Sequence, residues 1–162
     1  MSYLITTLKN SLFTAALVVA ISACGGGAPP ATATVPPRPT VAPVKLEISS
    51  KGEEMAYDKA QLEVKAGAQV TLRFVNSSAA QMHNWVLVKP GQADIVASDG
   101  ASAGEANDYL IKGDKRVLAA THMVKPKETA EITFTAPAPG SYPFICTFPG
   151  HASVMRGVLV VN

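Results

Sequence analysis

The chain has few cysteines and histidines, and most of its length has no surplus of either charge. Its 162 residues include two Cys and three His. In an exported protein two cysteines would normally suggest one disulfide, unless one of them is modified. Lys9 and Arg38 are the basic residues before position 44, and residues 44–162 carry twelve Lys/Arg and twelve Asp/Glu. That neutrality excludes a nucleic-acid binding face, which needs a surplus of basic side chains.

The N-terminal region lacks an apolar run of the roughly 20 residues that a membrane-spanning helix needs. Residues 11–23 are apolar and end in small residues, and one Lys and no acid precede them, which is typical of an export signal. The stretch Ile21–Cys24 resembles a bacterial lipobox. We therefore expect residues 1–23 to be a lipoprotein-type signal peptide and Cys24 to carry a lipid. An uncleaved anchor and an ordinary cleavage site stay open as alternatives.

Residues 24–43 contain mainly Gly, Pro, Ala and Thr, and Arg38 is their one charged residue. Such a composition cannot bury a core, so it predicts a tether. The sequence thus predicts an exported protein, periplasmic or extracytoplasmic, that the lipid on Cys24 holds at the outer face of a membrane.

Strand patterns dominate residues 44–162, a length that can bury a core as one domain. Apolar and polar residues alternate with period two or form short apolar runs, commonly separated by Gly, Pro or Asn-Ser turns. These segments are 44–48, 62–64, 70–75, 85–88, 131–135, 142–146 and 157–161. They predict an all-β protein built as an antiparallel sandwich. Residues 91–120 differ and predict an insertion with a short helix, capped by Asp99 and ending near Leu110.

The second thiol, Cys146, begins a segment that is rich in metal-binding side chains. Cys146, His151 and Met155 lie within ten residues, and Pro149-Gly150 predicts a turn that brings His151 back toward the Cys. A second imidazole, His83, comes from a separate part of the chain. A thiolate, two imidazoles and a weak axial thioether are the ligand set of blue-copper sites. A bound metal would also protect a lone thiol in an oxidising compartment.

Residues beside these ligands have expected roles of their own. Asn84, next to His83, is predicted to connect the two ligand segments by side-chain hydrogen bonds. Asn84 and Thr147 are predicted to form the supporting layer, the residues that contact the ligands without binding the metal. His122 has no sulfur partner in register and is expected at the surface or in the core. An apolar collar around the edge of His151 is predicted to dock partners, and it contains Met82, Phe148, Pro149 and Val154.

The segments Cys146–His151 and His83–Leu87 resemble the cupredoxins, the type 1 blue copper family, and within it the azurins and auracyanins. The resemblance covers residues 44–162, including the insertion, which is similar to the azurin flap. It implies a Greek-key β-sandwich of about eight strands, one copper that cycles between Cu(I) and Cu(II), and electron transfer.

This chain departs from the azurin pattern in two ways. Azurins have Gly at the position of Met82, and the carbonyl there makes a long contact to copper. A weak carbonyl contact from Met82 therefore stays open. Azurins also have a disulfide in the sandwich, and this domain lacks the cysteines for it.

Together these features predict a monomeric one-electron carrier, not an enzyme, that meets protein redox partners such as a cytochrome or a membrane electron-transfer complex. Copper storage or delivery is an alternative, although the Cys loop is suited to holding metal. A subunit that feeds electrons to a copper enzyme is another, but it usually needs more His ligands than this chain has. A Cys/His hydrolase is disfavoured because no oxyanion-binding features are evident.

Overall fold

The computed structural model of the protein describes residues 42–162. The expected signal peptide, the lipid site at Cys24 and the tether up to residue 41 lie outside the described residues. Within residues 42–162, no helix has both the length and the apolar character that crossing a membrane requires.

Nine strands form two sheets within the described residues. One sheet has the order β2-β1-β4-β7, and the other has the order β3-β9-β8-β5-β6. In chain order the strands are β1 (Val44–Lys51), β2 (Glu54–Tyr57), β3 (Gln61–Val64), β4 (Gln69–Val75), β5 (Val86–Val88), β6 (Val117–Ala120), β7 (Thr129–Thr135), β8 (Gly140–Ile145) and β9 (Arg156–Val161). The predicted all-β sandwich is confirmed, with two strands, β2 and β6, that the sequence patterns did not indicate.

The expectation of a wholly antiparallel sandwich is wrong. β1 runs parallel to β4, starting with the pair Val44 and Val70, and β3 runs parallel to β9, starting with the pair Gln61 and Val158. The chain leaves the first sheet after β2, contributes β3 to the second sheet, and returns as β4 beside β1. Period-two alternation reports which side chains face the core, and it carries no information on the direction of the neighbouring strand.

The core lies between the two sheets and contains side chains from both. On β4, the alternate residues Val70, Leu72 and Phe74 are all fully buried. The fully buried ring of Trp85 packs against the rings of Phe134 and Phe144, with centroid distances of 5.9 and 5.7 Å. The β-branched and aromatic residues that gave the strand signal are thus the residues that fill the sandwich.

The insertion contains helix α1 (Ala93–Ala103), so the expected helix from Asp99 to about Leu110 is misplaced. The backbone is already helical at Gln92, directly after the Pro90-Gly91 turn, and the helix ends at Gly104, whose φ is 77°. Asp99 does not cap the helix. It lies in the interior of the helix, and its carboxylate pairs with the Arg116 guanidinium at 2.7 Å.

One end of the sandwich collects the candidate ligands. β8 ends directly before Cys146, β9 begins directly after Met155, and β5 begins shortly after His83. Helix α1 packs beside this end, because its residues Ala93 and Val96 share an apolar cluster with Ala152 of the loop between β8 and β9.

Candidate metal centre

The loop between β8 and β9, residues 146–155, closes on itself through backbone hydrogen bonds. The Cys146 N–H donates to the Met155 carbonyl at 3.0 Å, so the two ends of the loop are joined. Inside it, the His151 N–H donates to Phe148 O at 3.0 Å and the Met155 N–H donates to His151 O at 2.8 Å. Gly150 supplies the left-handed turn with φ of 83° that the Pro-Gly pair predicted. Cys146 and His151 therefore face one point.

His83 is held by backbone pairing to a different segment. Its N–H donates to Val124 O at 3.1 Å, and its carbonyl accepts from the Val124 N–H at 2.8 Å. The buried amide of Asn76 donates to Val124 O at 2.9 Å and to Gln81 O at 2.8 Å. Asn76 thereby fixes the loop that leads into His83. The sequence marked Asn76 only as part of a turn, because nothing local shows that its amide reaches Val124.

Three electron-pair donors converge at the centre of the site. Sγ of Cys146 lies 3.7 Å from Nδ1 of His83 and 3.7 Å from Nδ1 of His151, and the two Nδ1 atoms are 3.3 Å apart. In the plane of these three atoms, the point equidistant from them lies about 2.1 Å from each. This distance is within the range of about 2.0–2.3 Å for metal–imidazole and metal–thiolate bonds. The three donors therefore fit a single metal ion.

The site is buried, and burial sets the protonation of its groups. It raises the pKa of the Cys146 thiol to about 11, although backbone N–H groups of Asn84 and Phe148 oppose the shift. Burial, with the charge of His151 as a second cause, lowers the pKa of His83 to about 4, and burial lowers the pKa of His151 as well. At neutral pH both imidazoles are thus neutral with free lone pairs, and a metal that binds here displaces the thiol proton.

The structure places the two candidate methionine ligands differently. Met155 is fully buried and belongs to the same core cluster as Cys146, to which its backbone is hydrogen-bonded. Met82 is half-buried and directly precedes His83. His122 is exposed and does not belong to the group of three donors.

The supporting layer connects the His83 segment to the Cys146 loop. The Asn84 side chain is fully buried and hydrogen-bonds both the backbone and the side chain of Thr147. The buried Tyr57 hydroxyl donates to the Asn84 carbonyl at 2.7 Å. Tyr57 was missed by the sequence analysis, because the strand that carries it was not recognised.

Three of the predicted docking residues lie in the same loop as His151 and differ in exposure. Phe148 is half-buried, and its ring lies 4.6 Å from the His151 ring, centroid to centroid. Pro149 is exposed, and 57% of the Val154 surface is accessible. His151 itself retains 5% exposure, whereas His83 retains 1%. The His151 side is thus the side on which the site comes nearest to solvent.

Two further contacts at this site were not anticipated from the sequence. The Tyr109 and Phe148 rings pack edge-to-face, with the centroids 5.4 Å apart. The Arg156 guanidinium donates to Ala152 O at 2.6 Å and to the Asp94 carboxylate of helix α1 at 2.6 Å. Both connect the ligand loop to the insertion.

Sequence comparisons agree with this geometry. A family model described as copper binding proteins, plastocyanin/azurin family, matches residues 44–162. The chain is 48% identical to Auracyanin-A of Chloroflexus aurantiacus over 149 residues, which cover 91% of each chain. It is 37% identical to the azurin of Bordetella pertussis over 115 residues, which cover 66% of this chain and 77% of that azurin.

Solved structures give the same result. The structure of auracyanin A, described as a "blue" copper protein from Chloroflexus aurantiacus, aligns with a TM-score of 0.71 and 52% identity, covering 74% of this chain and 99% of that one. Dithionite-reduced auracyanin from Roseiflexus castenholzii aligns with a TM-score of 0.71 and 43% identity, covering 75% and 99%. The chain therefore belongs to the plastocyanin/azurin family of copper-binding proteins, and copper is the cofactor that fits its group of His83, Cys146 and His151.

Proposed function

We propose that this protein carries one electron at a time between redox partners through a type 1 copper site. The observation that carries the proposal is the buried triangle of the Cys146 thiol and two neutral imidazoles, with Nδ1 and Sγ atoms 3.3 to 3.7 Å apart. Bound copper supplies the one-electron couple between Cu(I) and Cu(II). The chain holds His83, Cys146 and His151 as its strong ligands.

The proposed carrier works because its ligands hardly move when the charge of the site changes. Backbone bonds fix His83 to Val124 and Cys146 to Met155, and these bonds do not depend on a metal. We propose the Met155 thioether as the weak axial ligand, supported by its full burial next to Cys146 in the core. A weak contact from the Met82 carbonyl completes the proposal, because that carbonyl belongs to the peptide bond that enters His83.

We propose that electrons enter and leave at the His151 edge. Phe148, Pro149, Val154 and Met82 form the proposed apolar collar there, and Pro149 and Val154 are exposed. A small apolar patch suits a brief encounter, in which partners must separate again after each electron. The partners are proposed to be proteins such as a cytochrome or a membrane electron-transfer complex, met by a monomer.

The proposal includes export and a lipid anchor on Cys24. It is supported by the apolar 11–23 segment and the lipobox-like Ile21–Cys24 stretch. The described chain enters the domain near Ala42, which lines a cavity with Lys65 and Asn162. Asn162 directly follows β9, and the ligand loop directly precedes it. The entry point is therefore separated from the ligand loop by the length of β9, about 20 Å at roughly 3.3 Å per residue. The entry point and the ligand loop thus lie at opposite ends of β9.

The proposal is a carrier role and not an enzymatic one. Within residues 42–162, the group of His83, Cys146 and His151 is the one cluster of three or more close metal-binding side chains. A subunit that feeds electrons to a catalytic copper would need that second copper on another chain.

The proposal is tested by loading the purified domain with Cu(II) and recording visible and EPR spectra. An intense thiolate-to-copper band that disappears reversibly with one reducing equivalent is expected from a type 1 site. Cys146→Ser should abolish the band, whereas His122→Ala, at the exposed histidine, should leave it unchanged. A colourless protein that binds only Cu(I) would instead indicate copper storage or delivery.

A further inference from the structure

Two consecutive residues of the insertion have left-handed backbone conformations although neither is glycine. Asp108 has φ of 55° and Tyr109 has φ of 52°. A bulky aromatic residue rarely adopts this conformation, because its Cβ approaches the following carbonyl oxygen. Strained positions of this kind persist only where the surrounding structure holds them, and they cluster at functional sites.

Three separate segments hold this turn in place. The Asn84 amide donates to Asp108 O at 3.3 Å, and the Met123 N–H donates to the Asp108 carboxylate at 2.8 Å. Helix α1 approaches through Gly100, where an added Cβ would lie 2.1 Å from Tyr109 O. Asn84 is the residue that follows the ligand His83. The strained turn is therefore fixed directly to the metal centre.

The turn directs the Tyr109 ring at the ligand loop. The Tyr109 ring meets the Phe148 ring edge-to-face, at 5.4 Å and 66°, and the Phe148 ring lies tilted on His151, at 4.6 Å and 40°. Edge-to-face and offset arrangements are the favourable geometries for aromatic pairs. The three rings form a continuous row from the insertion to the ligand that lies nearest solvent.

We propose that Tyr109 is a positioning residue of the copper site, which holds Phe148 against the imidazole of His151 and so keeps water from that face of the ligand. The proposal rests on the proposed role of His151 as a copper ligand. It gives the insertion a function in the redox site, because the strained turn serves to place one aromatic ring.

The physical reason is the partial exposure of Phe148. This ring is half-buried and lies on a loop, so its own burial does not fix its orientation. The Tyr109 ring packs edge-to-face with the Phe148 ring on the side of the insertion. Without Tyr109, the Phe148 ring gains freedom to rotate away, and the His151 ring loses its apolar cover. Where water reaches a ligand, that water must rearrange each time the charge of the site changes.

The test compares Tyr109→Ala with Tyr109→Phe, which keeps the ring and removes only the hydroxyl. In the metal-free protein, NMR measures the Phe148 ring-flip rate and the through-space contacts between Phe148 and His151. Tyr109→Ala should raise the flip rate roughly two- to tenfold, the factor that corresponds to one aromatic pair, and weaken those contacts. Tyr109→Phe should match the wild type.

In the copper-loaded protein, the same variants are compared by reduction potential and EPR. Tyr109→Ala should shift both away from the wild type, and Tyr109→Phe should shift neither. The proposal is overturned if Tyr109→Ala lowers stability but leaves the Phe148 ring and the potential unchanged, because Tyr109 would then be a packing residue only. If the NMR changes occur while the copper signals do not, the ring contact stands but does not affect the copper site, and the proposal is overturned. A wild-type protein without a type 1 copper spectrum would instead overturn the proposed function.

Discussion

The Asn84 side chain bonds Thr147 at two points: its Oδ1 accepts from the Thr147 backbone N–H at 2.9 Å, and its Nδ2 donates to Thr147 Oγ1 at 2.8 Å. Both residues are fully or almost fully buried. Asn84 follows His83 and Thr147 follows Cys146, so this pair fixes the distance between two ligand segments that are far apart in sequence. The contact thereby holds the two segments at the spacing that the group of His83 and Cys146 requires.

Replacing Asn84 with Ala should destabilise the protein and perturb the copper site. The change leaves the buried Thr147 N–H and hydroxyl without partners, and unsatisfied buried groups cost about 1–3 kcal/mol each. We expect a loss of roughly 2–4 kcal/mol in the free energy of unfolding. Urea unfolding of the metal-free protein measures the loss, and voltammetry of the copper form measures the change in potential.

Thr147→Val is the matched control for this prediction. It removes the hydroxyl bond and retains the backbone bond from Thr147 to Asn84 Oδ1, so it should cost less than Asn84→Ala. If Asn84→Ala changed neither the unfolding free energy nor the potential, the two-point contact would not be what fixes the ligand segments.

Gly100→Ala should be destabilising even though Gly100 lies inside helix α1. In an unconstrained helix, Gly→Ala stabilises by about 0.5–1 kcal/mol. Here the new Cβ would lie 2.1 Å from Tyr109 O, a backbone atom that cannot rotate away. Overpacking typically costs about 1–3 kcal/mol, so the steric term should exceed the helix propensity.

Thermal unfolding of Gly100→Ala measures this balance. Ser102→Ala, at an exposed position of the same helix, should be neutral or slightly stabilising and serves as the control. A Gly100→Ala variant that melts at or above the wild-type temperature would show that the helix moves freely relative to the Tyr109 turn.

Strands were predictable from the sequence where buried and exposed residues alternate, and less predictable where they do not. Val70 to Phe74 alternates strictly, and each buried residue faces the core. β6 has no such alternation, because all four of its residues are half-buried. β2 buries only Tyr57. The predicted antiparallel direction was wrong for β1 and β4. The relative direction of two neighbouring strands depends on where the chain crosses between the sheets.

The candidate ligands were predictable for a chemical reason, whereas their supporting contacts were not. A thiol, imidazole and thioether within one short loop form a rare combination with a specific affinity, so Cys146 and His151 are visible in the sequence. Tyr109 is not, because its contact with Phe148 depends on two left-handed residues. In the sequence, nothing distinguishes Arg156 from other basic residues at the surface. Its hydrogen bond to Ala152 O forms only when the loop is folded.

Replacing Arg156 with Gln should loosen the ligand loop more than it destabilises the protein. Arg156 bonds Ala152 O in the loop and Asp94 in helix α1, each at 2.6 Å. Asp94 is largely exposed, so the ion pair itself should contribute less than about 1 kcal/mol. Losing the bond to the carbonyl should raise hydrogen exchange at the Val154 and Met155 N–H groups by roughly five- to tenfold, equivalent to about 1 kcal/mol.

Hydrogen exchange read by NMR on the metal-free protein tests this effect. Asp94→Asn removes the ion pair while Arg156 still reaches Ala152 O, so its exchange rates should stay near the wild type. Equal acceleration in both variants would indicate that the helix contact, and not the carbonyl bond, holds the loop.

The stability of the metal-free protein should fall on both sides of a plateau between about pH 6.5 and 9. The folded-state pKa of His83 is lowered from 6.5 to about 4, so between these values the unfolded chain binds a proton that the folded chain does not, and stability falls as the pH decreases. The pKa of Cys146 is raised from 9.0 to about 11, so the unfolded thiol ionises first and stability falls as the pH increases.

Urea midpoints of the metal-free protein between pH 4 and 10 check this profile. His83→Gln should flatten part of the acid limb, since His151 also has a lowered pKa, and Cys146→Ser should flatten the basic limb. In the copper form the metal keeps these ligand atoms unprotonated in the folded state, so the acid limb should still begin near the unfolded-state pKa but extend to lower pH. A profile that is equally flat in the wild type and both variants would contradict the assigned protonation states.

Placing a charge at Val154 should slow electron exchange without changing the copper site. Val154 is 57% exposed beside His151, and Val154→Asp would put an unpaired carboxylate into the proposed apolar contact. Burying such a group, and facing it with its copy in a second molecule, should slow electron self-exchange by roughly ten- to a hundredfold at low salt. NMR line broadening in mixtures of the oxidised and reduced protein measures the rate.

Ile111→Asp adds the same charge at a similarly exposed apolar residue of the insertion, where it should have little effect. If both variants slowed exchange equally, net charge and not the His151 collar would control the encounter.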